Sequence, residues 1–152
     1  AEAEVDELTG VLNRRAGRIA FEAMKKKAHS EAVPFTLCMY DLNDLKRVND
    51  SKGHLAGDQY ICDAAKILCD CFGSENVYRI GGDEFAVVLT GISKSNLRHC
   101  CEQLRDTTTS SSVSLSFGVE FAEHHEVPFE TLLKYADEKM YEDKRRYYKM
   151  LK

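Results

Sequence analysis

The sequence lacks the features that mark several large classes of protein. No apolar run approaches the roughly 20 residues that a membrane-spanning helix needs. The acidic N-terminus shows no signal peptide. The net charge of -4 and the pI near 5.8 argue against a protein that binds duplex nucleic acid, because such proteins usually present a basic face. A small anionic ligand remains compatible with this charge, since a site can be locally positive or neutralised by a metal.

The cysteines lack the spacing of a metal site. None of the six forms a CxxC pair, and no histidine lies at the spacing of a zinc finger. Most lie among apolar neighbours, where a free cysteine behaves as a small hydrophobic residue. We therefore expect reduced thiols, as in a cytosolic protein, at Cys38, Cys62, Cys69, Cys71, Cys100 and Cys101.

What the chain does contain is the composition of an ordinary globular domain. Hydrophobic residues make up 43% and charged residues 30% of its 152 residues, which suits one domain with one core. The sequence does not begin with methionine, and we expect it to be part of a longer protein. We assign residues 1–5 to a linker or helix end from an upstream domain and residues 6–152 to a single domain. We expect a cytoplasmic location, alone or as the cytoplasmic part of a larger, membrane-anchored protein.

Hydrophobic periodicity predicts an α+β fold. A helix is predicted at 13–30, and the nearly continuous apolar run 35–42 predicts a strand that is buried on both faces. The order of elements is α, then β-α-β-β-α-β, then α. This is the split βαβ arrangement of ferredoxin-like or palm domains, an antiparallel sheet with helices on one face. The segment 113–121 alternates apolar and polar residues, which predicts a half-exposed strand.

Two acidic segments are expected to meet at one edge of this sheet. The first strand ends in Asp41, and Gly81-Gly82 indicates a β-hairpin tip with φ > 0 next to Asp83 and Glu84. Carboxylates that converge from separate strands repel one another unless a cation lies between them. Such oxygen ligands suit Mg²⁺ or Mn²⁺, which can promote phosphoryl transfer. The alternative, that these acids merely decorate loop tips, is harder to sustain for all three together.

Several short motifs stand in a fixed order along the chain. They are Asp6-x-Leu8-Thr9-Gly10-x-Leu12-Asn13-Arg14-Arg15, Asp41-Leu42-Asn43-x-Leu45-Lys46-x-x-Asn49-Asp50, Gly53-His54-x-x-Gly57-Asp58, Tyr78-Arg79-Ile80-Gly81-Gly82-Asp83-Glu84-Phe85, Ser116-x-Gly118 and Ala136-Asp137-x-x-x-Tyr141-x-x-Lys144. With these motifs the sequence resembles the GGDEF family of diguanylate cyclases along nearly its whole length. The resemblance implies a metal-dependent enzyme that condenses two GTP into cyclic di-GMP, a bacterial second messenger, and releases pyrophosphate. The GGDEF hairpin would then lie at the active site.

The resemblance also implies roles for residues of the acidic segments. Asp41, the backbone carbonyl of Leu42 and Asp83 would hold the Mg²⁺ or Mn²⁺. Asp83 and Glu84 would be the catalytic residues, and which carboxylate accepts the proton of the attacking 3′-hydroxyl is left open.

Guanine recognition is implied for Asn49 and Asp58. A carboxylate can accept hydrogen bonds from the guanine N1–H and exocyclic amine, whereas adenine has no N1–H. Two alternatives remain open, because Asn49 could instead cap a helix or make a turn, and Asp58 could interact with a helix dipole.

Phosphate binding is implied for Lys46, Gly81, Gly82 and Lys144. The glycines would let the backbone approach the α-phosphate without a Cβ clash, and the lysines would contact the β- and γ-phosphates. For Lys144, which lies in a basic run at a helix C-terminus, the helix dipole is an alternative explanation.

Three departures from the family pattern concern substrate binding and regulation. Tyr148 occupies the position of a phosphate-binding arginine, so that either Arg145 or Lys149 substitutes or the affinity for the triphosphate is lowered. Position 44, which usually carries an aromatic residue, is Asp44 and adds negative charge near the metal. The product-inhibition motif Arg-x-x-Asp would fall at residues 72–75 and is absent, so no product-inhibition site is expected.

The implied partners are GTP, a second copy of the chain and an upstream sensory domain. The homodimer is needed because each monomer would hold one GTP. We expect no nucleic-acid partner and no direct membrane contact. An alternative function is a catalytically weak GGDEF domain that acts as a GTP-binding regulatory module, which Tyr147-Tyr148 favours slightly and the intact Asp83-Glu84 pair argues against. A purely structural dimerisation domain would bind no nucleotide in a metal-dependent way.

Overall fold

The computed structural model describes residues 4–122 and 129–151. The elements are α1 (Arg14–Glu31), β1 (Phe35–Leu42), α2 (Leu45–Lys52), α3 (His54–Phe72), a 3₁₀ turn (Ser74–Asn76), β2 (Val77–Arg79), β3 (Glu84–Thr90), α4 (Lys94–Thr109), β4 (Leu115–Ala122) and α5 (Phe129–Met150). The strands form one sheet in the order β2-β3-β1-β4, and every neighbouring pair is antiparallel. The split βαβ prediction is therefore confirmed.

Helices cover both faces of the sheet, whereas the sequence predicted helices on one face. All eight residues of β1 are buried, because its alternate side chains enter two separate cores. Cys38 and Tyr40 pack in the core that includes α3 and α4, and Leu37 and Met39 pack in the core that includes α1 and α5. The prediction was wrong because the split βαβ pattern accounts only for the crossover helices. The first and last helices lie outside that pattern and cover the second face.

The polar side of β4 is also buried, although the sequence predicted a half-exposed strand. Ser116 is 0% exposed, and Gly118 is buried beneath α5. A Cβ on Gly118 would overlap the carbonyl oxygen of Ala136 and lie 2.6 Å from the amide nitrogen of Met140. These small residues are thus the contact surface of a closely packed helix. Alternation in sequence cannot distinguish that case from solvent exposure.

The segment before α1 is tied to the sheet through backbone contacts. Val5 forms an antiparallel bridge with Leu12, and Leu12 forms a parallel bridge with Tyr78 of β2. The Asn13 side chain caps α1 by accepting from the Ala16 amide at 2.9 Å. The assignment of residues 1–5 to an upstream linker stays a prediction.

The cysteines of the described residues carry no disulfide. Cys38 is fully buried, and burial raises the pKa of its thiol. The described residues also contain no helix that is long and apolar enough to cross a membrane.

Candidate active site at the end of β1

Three carboxylates meet at the end of the sheet, at the last residue pair between β1 and β3. Asp41 lies directly opposite Glu84, so the two side chains project from the same face of the sheet. The Leu42 amide donates to the Asp83 carbonyl at 2.9 Å, which fixes the end of the hairpin against β1. Ligand oxygens of Asp41, Asp83 and Glu84 all lie within 4.8 Å of one another. We call these three side chains the acidic centre.

Asp41 is the most buried member of the acidic centre, with 7% of its side chain exposed. Burial raises its pKa to about 6; the Lys144 hydrogen bond opposes this shift, and the Asp83 charge adds to it. Asp41 Oδ1 is buried and has no hydrogen-bond partner among the described residues. An unsatisfied buried carboxylate oxygen is costly, and a bound cation would satisfy it.

Lys144 is bound to the acidic centre rather than to solvent. Its Nζ donates to Asp41 Oδ2 at 2.8 Å and to the Leu42 carbonyl at 3.2 Å. Although burial lowers the pKa of Lys144, the hydrogen bond and charge of Asp41 raise it overall. The side chain is 22% exposed, so the helix dipole alone does not account for its position.

Glu84 is surrounded by further carboxylates. Burial raises its pKa, and the nearby charges of Asp83 and Asp137 act in the same direction, whereas Lys144 and Arg14 oppose them. The pKa of Asp137 is raised as well, first by burial. Asp137 belongs to the last motif of the sequence, but no role was assigned to it there. It adds negative charge beside the acidic centre.

The acidic centre fits a hard divalent cation. It offers carboxylate oxygens from Asp41, Asp83 and Glu84, and the Leu42 carbonyl lies at the same place, within reach of Lys144. Oxygen donors of this kind are those that Mg²⁺ and Mn²⁺ prefer. The unsatisfied Asp41 Oδ1 is the particular atom that such an ion would satisfy.

We expect Mn²⁺ to bind more weakly in acid. The pKa of Asp41 is about 6, so a proton competes with the cation below that pH and is absent well above it. The apparent affinity should therefore fall about tenfold between about pH 7.5 and about pH 5, as measured by electron paramagnetic resonance of free Mn²⁺. An Asp41→Asn variant should bind weakly at both pH values. Equal affinity of the unmodified chain at both pH values would contradict this expectation.

The glycines of the hairpin do not have the backbone conformation that the sequence predicted. The described glycines with positive φ are Gly10, Gly53, Gly73 and Gly91, so neither Gly81 nor Gly82 is among them. The prediction was wrong because the loop is not a tight two-residue turn. Ile80 and Gly81 both donate their amides to the Glu84 carbonyl, at 2.8 and 3.3 Å.

The two hairpin glycines lie in open space. A Cβ on Gly82 would meet nothing within 4 Å, and a Cβ on Gly81 would come no closer than 3.6 Å to Glu84. Among the described residues, neither backbone strain nor crowding therefore requires glycine here. The open space at this tip is compatible with a ligand that approaches the backbone closely.

Arg79 binds the backbone carbonyls of the hairpin loop. Its Nε donates to the Gly81 carbonyl at 3.2 Å and its Nη2 to the Gly82 carbonyl at 2.8 Å. Its Nη1 donates to both carboxylate oxygens of Asp6, at 3.1 and 3.2 Å. Asp6 also accepts from the amide and hydroxyl of Thr9, at 2.9 and 2.7 Å. Although burial raises the pKa of Asp6, the bonds from Thr9 and Arg79 lower it overall.

Sequence reasoning missed this link between the first motif and the hairpin. The available signal was an acid in one motif and an arginine directly before the signature in another. Charge alone did not identify the pair, because the chain has 21 basic and 25 acidic residues.

The β1–α2 turn, residues 43–44, is fixed by buried polar groups. Asn43 Oδ1 accepts from the Ser116 hydroxyl at 2.8 Å, and Asn43 Nδ2 donates to the Ser114 hydroxyl at 3.0 Å. The Tyr60 hydroxyl donates to the Asn43 carbonyl at 2.8 Å. This network holds the chain directly after Asp41, and sequence reasoning gave no role to Asn43.

Asn49 and Asp58 lie at the contact of α2 with α3. Asn49 packs on Gly57, where a Cβ would overlap its Oδ1 and lie 2.8 Å from its Cγ. The N-cap of α3 is Gly53 without a side-chain cap, so Asn49 is not a helix cap. The first turn of α3 contains no acidic residue, so the dipole does not explain Asp58. Because Gly57 directly precedes Asp58, this packing brings Asn49 to the turn of α3 that carries Asp58.

Lys46 is separate from the other predicted phosphate contacts. Its side chain is 93% exposed and lies 3.8 Å from Asp50 on the outer side of α2. Within residues 4–122 and 129–151, no hydrogen bond or ion pair joins it to the acidic centre. The structure therefore brings Lys144, Gly81 and Gly82 to the acidic centre but not Lys46.

Comparison with known proteins supports one family. The family described as diguanylate cyclase, GGDEF domain matches residues 3–149. The chain is 34% identical over 145 residues to the cyclic di-GMP phosphodiesterase PdeB of Shewanella oneidensis, covering 89% of this chain and 16% of that protein. It is 31% identical over 156 residues to the diguanylate cyclase DosC of Escherichia coli K12, covering 95% of this chain and 34% of that protein. The chain thus spans about a third or less of these relatives.

A solved structure shares both the fold and part of the sequence. It is a microbial GGDEF domain studied for a novel interaction mode with bis-(3′,5′)-cyclic di-GMP. The match has a TM-score of 0.84 and 28% identity, and it covers 95% of each chain.

Proposed function

The chain belongs to the GGDEF family of diguanylate cyclase domains, and from this premise we propose that it condenses two GTP molecules into cyclic di-GMP and releases pyrophosphate. The observation that carries the proposal is the acidic centre, with three carboxylates within 4.8 Å and an unsatisfied buried oxygen on Asp41. A structural domain has no need for such a costly arrangement.

We assign Mg²⁺ or Mn²⁺ to Asp41, the Leu42 carbonyl and Asp83, with Glu84 beside them. These residues would hold the ion where it would polarise the attacking 3′-hydroxyl and neutralise charge on the phosphoryl group in transfer. Lys144 keeps its positive charge because Asp41 raises its pKa, so it can bind a phosphate oxygen of the same nucleotide.

We assign to Glu84 the role of the base that accepts the proton of the 3′-hydroxyl. Its raised pKa makes it a better proton acceptor than an ordinary glutamate. Asp41 is less suited, because one of its oxygens already accepts from Lys144. Asp83 shares the catalytic role by placing its carboxylate at the metal. Gly81 and Gly82 leave open space in which the α-phosphate can approach the backbone.

Guanine recognition is assigned to Asn49 and Asp58. The carboxylate of Asp58 is exposed and can accept from N1–H and the exocyclic amine of guanine. Adenine would leave these acceptors without a donor, which discriminates against ATP. We also assign Lys46 to the phosphates, and its exposed side chain would turn inward on binding.

The reaction requires two copies of the chain. Each 3′-hydroxyl must attack the α-phosphate of the other GTP, so two sites must face each other in a homodimer. An upstream sensory domain would join at residues 1–5. Those residues lead directly to Asp6, which Arg79 connects to the hairpin.

The turnover of a dimeric form tests this proposal. The chain fused to a dimerising coiled coil, incubated with GTP and Mg²⁺, should yield cyclic di-GMP and pyrophosphate, detected by chromatography. ATP in place of GTP should give no cyclic dinucleotide, and the same chain with a monomeric tag should give much less product. No cyclic di-GMP from the dimeric fusion would refute the proposal.

A second candidate function is a GTP-binding regulatory module with little turnover. The similarity to a cyclic di-GMP phosphodiesterase and the unusual Tyr147-Tyr148 pair favour it. Calorimetry that shows GTP binding to the dimeric fusion, together with absence of product, would select this function over the cyclase.

A further inference from the structure

Two departures from the family pattern lie in contact with each other. The Tyr147 hydroxyl donates to the carboxylate of Asp44. The backbone amide of Asp44 donates to the Tyr148 hydroxyl at 2.9 Å. The residues are more than 100 positions apart in sequence, yet they form one cluster between the β1–α2 turn and the end of α5. We call Asp44, Tyr147 and Tyr148 the tyrosine clasp.

The negative charge of the clasp is held in a fixed place. Only 10% of the Asp44 side chain is exposed, and Arg47 Nη2 donates to it at 3.3 Å. The rings of Tyr147 and Tyr148 pack edge to face with centroids 5.1 Å apart. Asp44 therefore cannot turn away from the site without breaking several contacts.

Tyr148 lies close to Lys144, the lysine that is bound to the acidic centre. It follows Lys144 by one turn of α5, about 40° around the helix, and its hydroxyl is close enough to affect the pKa of that lysine. Arg145 and Lys149 lie about 100° and 140° from Lys144 around the helix and so face away from it. The structure therefore does not favour either of them as a replacement for a phosphate-binding arginine.

Four other cations around this end of the site are already paired with carboxylates. In the described part of the chain these pairs are Lys144–Asp41 at 2.8 Å, Arg47–Asp44 at 3.3 Å, Arg146–Asp143 at 3.6 Å and Lys46–Asp50 at 3.8 Å. Each of these cations therefore already has a carboxylate beside it. A polyphosphate that extends past Lys144 thus meets a neutral phenol and a fixed carboxylate.

We propose that the tyrosine clasp determines nucleotide specificity by making the terminal-phosphate end of the site neutral to negative, so that the domain scarcely distinguishes GTP from GDP. The inference rests on the proposed guanine-nucleotide site. A phenol supplies one neutral hydrogen bond, whereas a guanidinium would supply two charge-assisted bonds to a phosphate. The γ-phosphate adds negative charge near Asp44, and this repulsion offsets what Lys144 contributes. GDP would then compete with GTP and inhibit turnover.

Nucleotide affinities of the chain and of two Asp→Asn variants test the proposal. Calorimetry with Mg²⁺ should give dissociation constants for GTP and GDP within about threefold of each other. Asp44→Asn should increase the affinity for GTP about three- to tenfold, because one negative charge is removed. The affinity for GMP should stay unchanged. Asn tolerates the left-handed φ of 66° at this position and still accepts from Tyr147. Asp70→Asn, an exposed position about 18 Å further along α3 than Asp58, is the matched control and should change nothing.

A second variant tests the same proposal by adding a positive charge instead of removing a negative one. Tyr148→Arg should make GTP bind at least about tenfold tighter than GDP, a difference of about 1.4 kcal/mol, with circular dichroism confirming the fold. GTP binding more than tenfold tighter than GDP in the unmodified chain would overturn the clasp proposal. So would an Asp44→Asn variant with unchanged GTP affinity.

The two proposals fail in different ways. If neither GTP, GDP nor GMP binds, the guanine site is wrong and both proposals fall. If the dimeric fusion makes cyclic di-GMP and discriminates strongly against GDP, only the clasp proposal fails. Equal binding of GTP and GDP supports the clasp whether or not the fusion turns over.

Discussion

Replacing Glu84 by glutamine is expected to reduce cyclic di-GMP formation by the dimeric fusion about a thousandfold or more. Glutamine keeps the size of the side chain but cannot accept the proton that, by our proposal, Glu84 takes from the 3′-hydroxyl, a function worth roughly 10²–10⁴ in rate. It also removes one of the three charges that converge at the acidic centre. Single-turnover formation of cyclic di-GMP, measured with saturating GTP and Mg²⁺, checks the expectation.

The fold and the nucleotide affinity of this variant should be retained. Burial and the charges of Asp83 and Asp137 raise the pKa of Glu84, so the ionised side chain is disfavoured in the folded protein. Loss of that charge should therefore not destabilise the domain. Glu102→Gln on the exposed side of α4 is the matched control and should turn over normally. Activity within tenfold of normal in Glu84→Gln would show that another group accepts the proton.

Replacing Gly118 by alanine is expected to destabilise the domain by about 3 kcal/mol or more. The new Cβ would overlap the Ala136 carbonyl and lie 2.6 Å from the Met140 amide, and both are backbone atoms of α5. Overpacking usually costs about 1–3 kcal/mol, and a clash with helix backbone cannot be relieved by a rotamer change. The melting temperature should fall by about 6–12 °C, since each kcal/mol corresponds to about 2–4 °C in a domain of this size.

The same substitution should also affect the site. Lys144 lies on α5 just beyond the point of overlap, so a displaced helix would weaken its 2.8 Å contact with Asp41. Gly82→Ala is the matched control for stability, because its Cβ would meet nothing within 4 Å. Thermal unfolding followed by circular dichroism compares the two variants. A Gly118→Ala protein as stable as the Gly82→Ala protein would mean that α5 does not pack on β4 this closely.

Periodicity and turn residues predicted the elements of this fold because they act over short distances along the chain. The apolar run that ends in Asp41 predicted β1, and the two runs around Gly81-Gly82 predicted the hairpin strands. Once β1 and the hairpin were placed in a split βαβ sheet, the convergence of Asp41, Asp83 and Glu84 followed from topology. The structure confirms both the sheet order and the convergence.

The same local rules failed where a residue type suits more than one environment. Small and polar residues on β4 were predicted to face solvent, but Ser116 and Gly118 lie beneath α5. Gly81 and Gly82 were predicted to adopt positive φ, but their conformation needs none. In both cases the residue is small because something approaches it closely: a helix at β4, and by our proposal a ligand at the hairpin.

By itself, the sequence determined the α+β class, the order of elements and the acidic residues at the end of β1, because these depend on local pattern and connectivity. Only the tertiary structure decided that helices cover both faces, that Arg79 joins Asp6 to the hairpin, and that Tyr147 and Tyr148 bind Asp44. Contacts of this kind join positions 73 to 104 residues apart. They depend on how helices pack against the sheet, and side-chain packing on that scale has no local signature in one sequence.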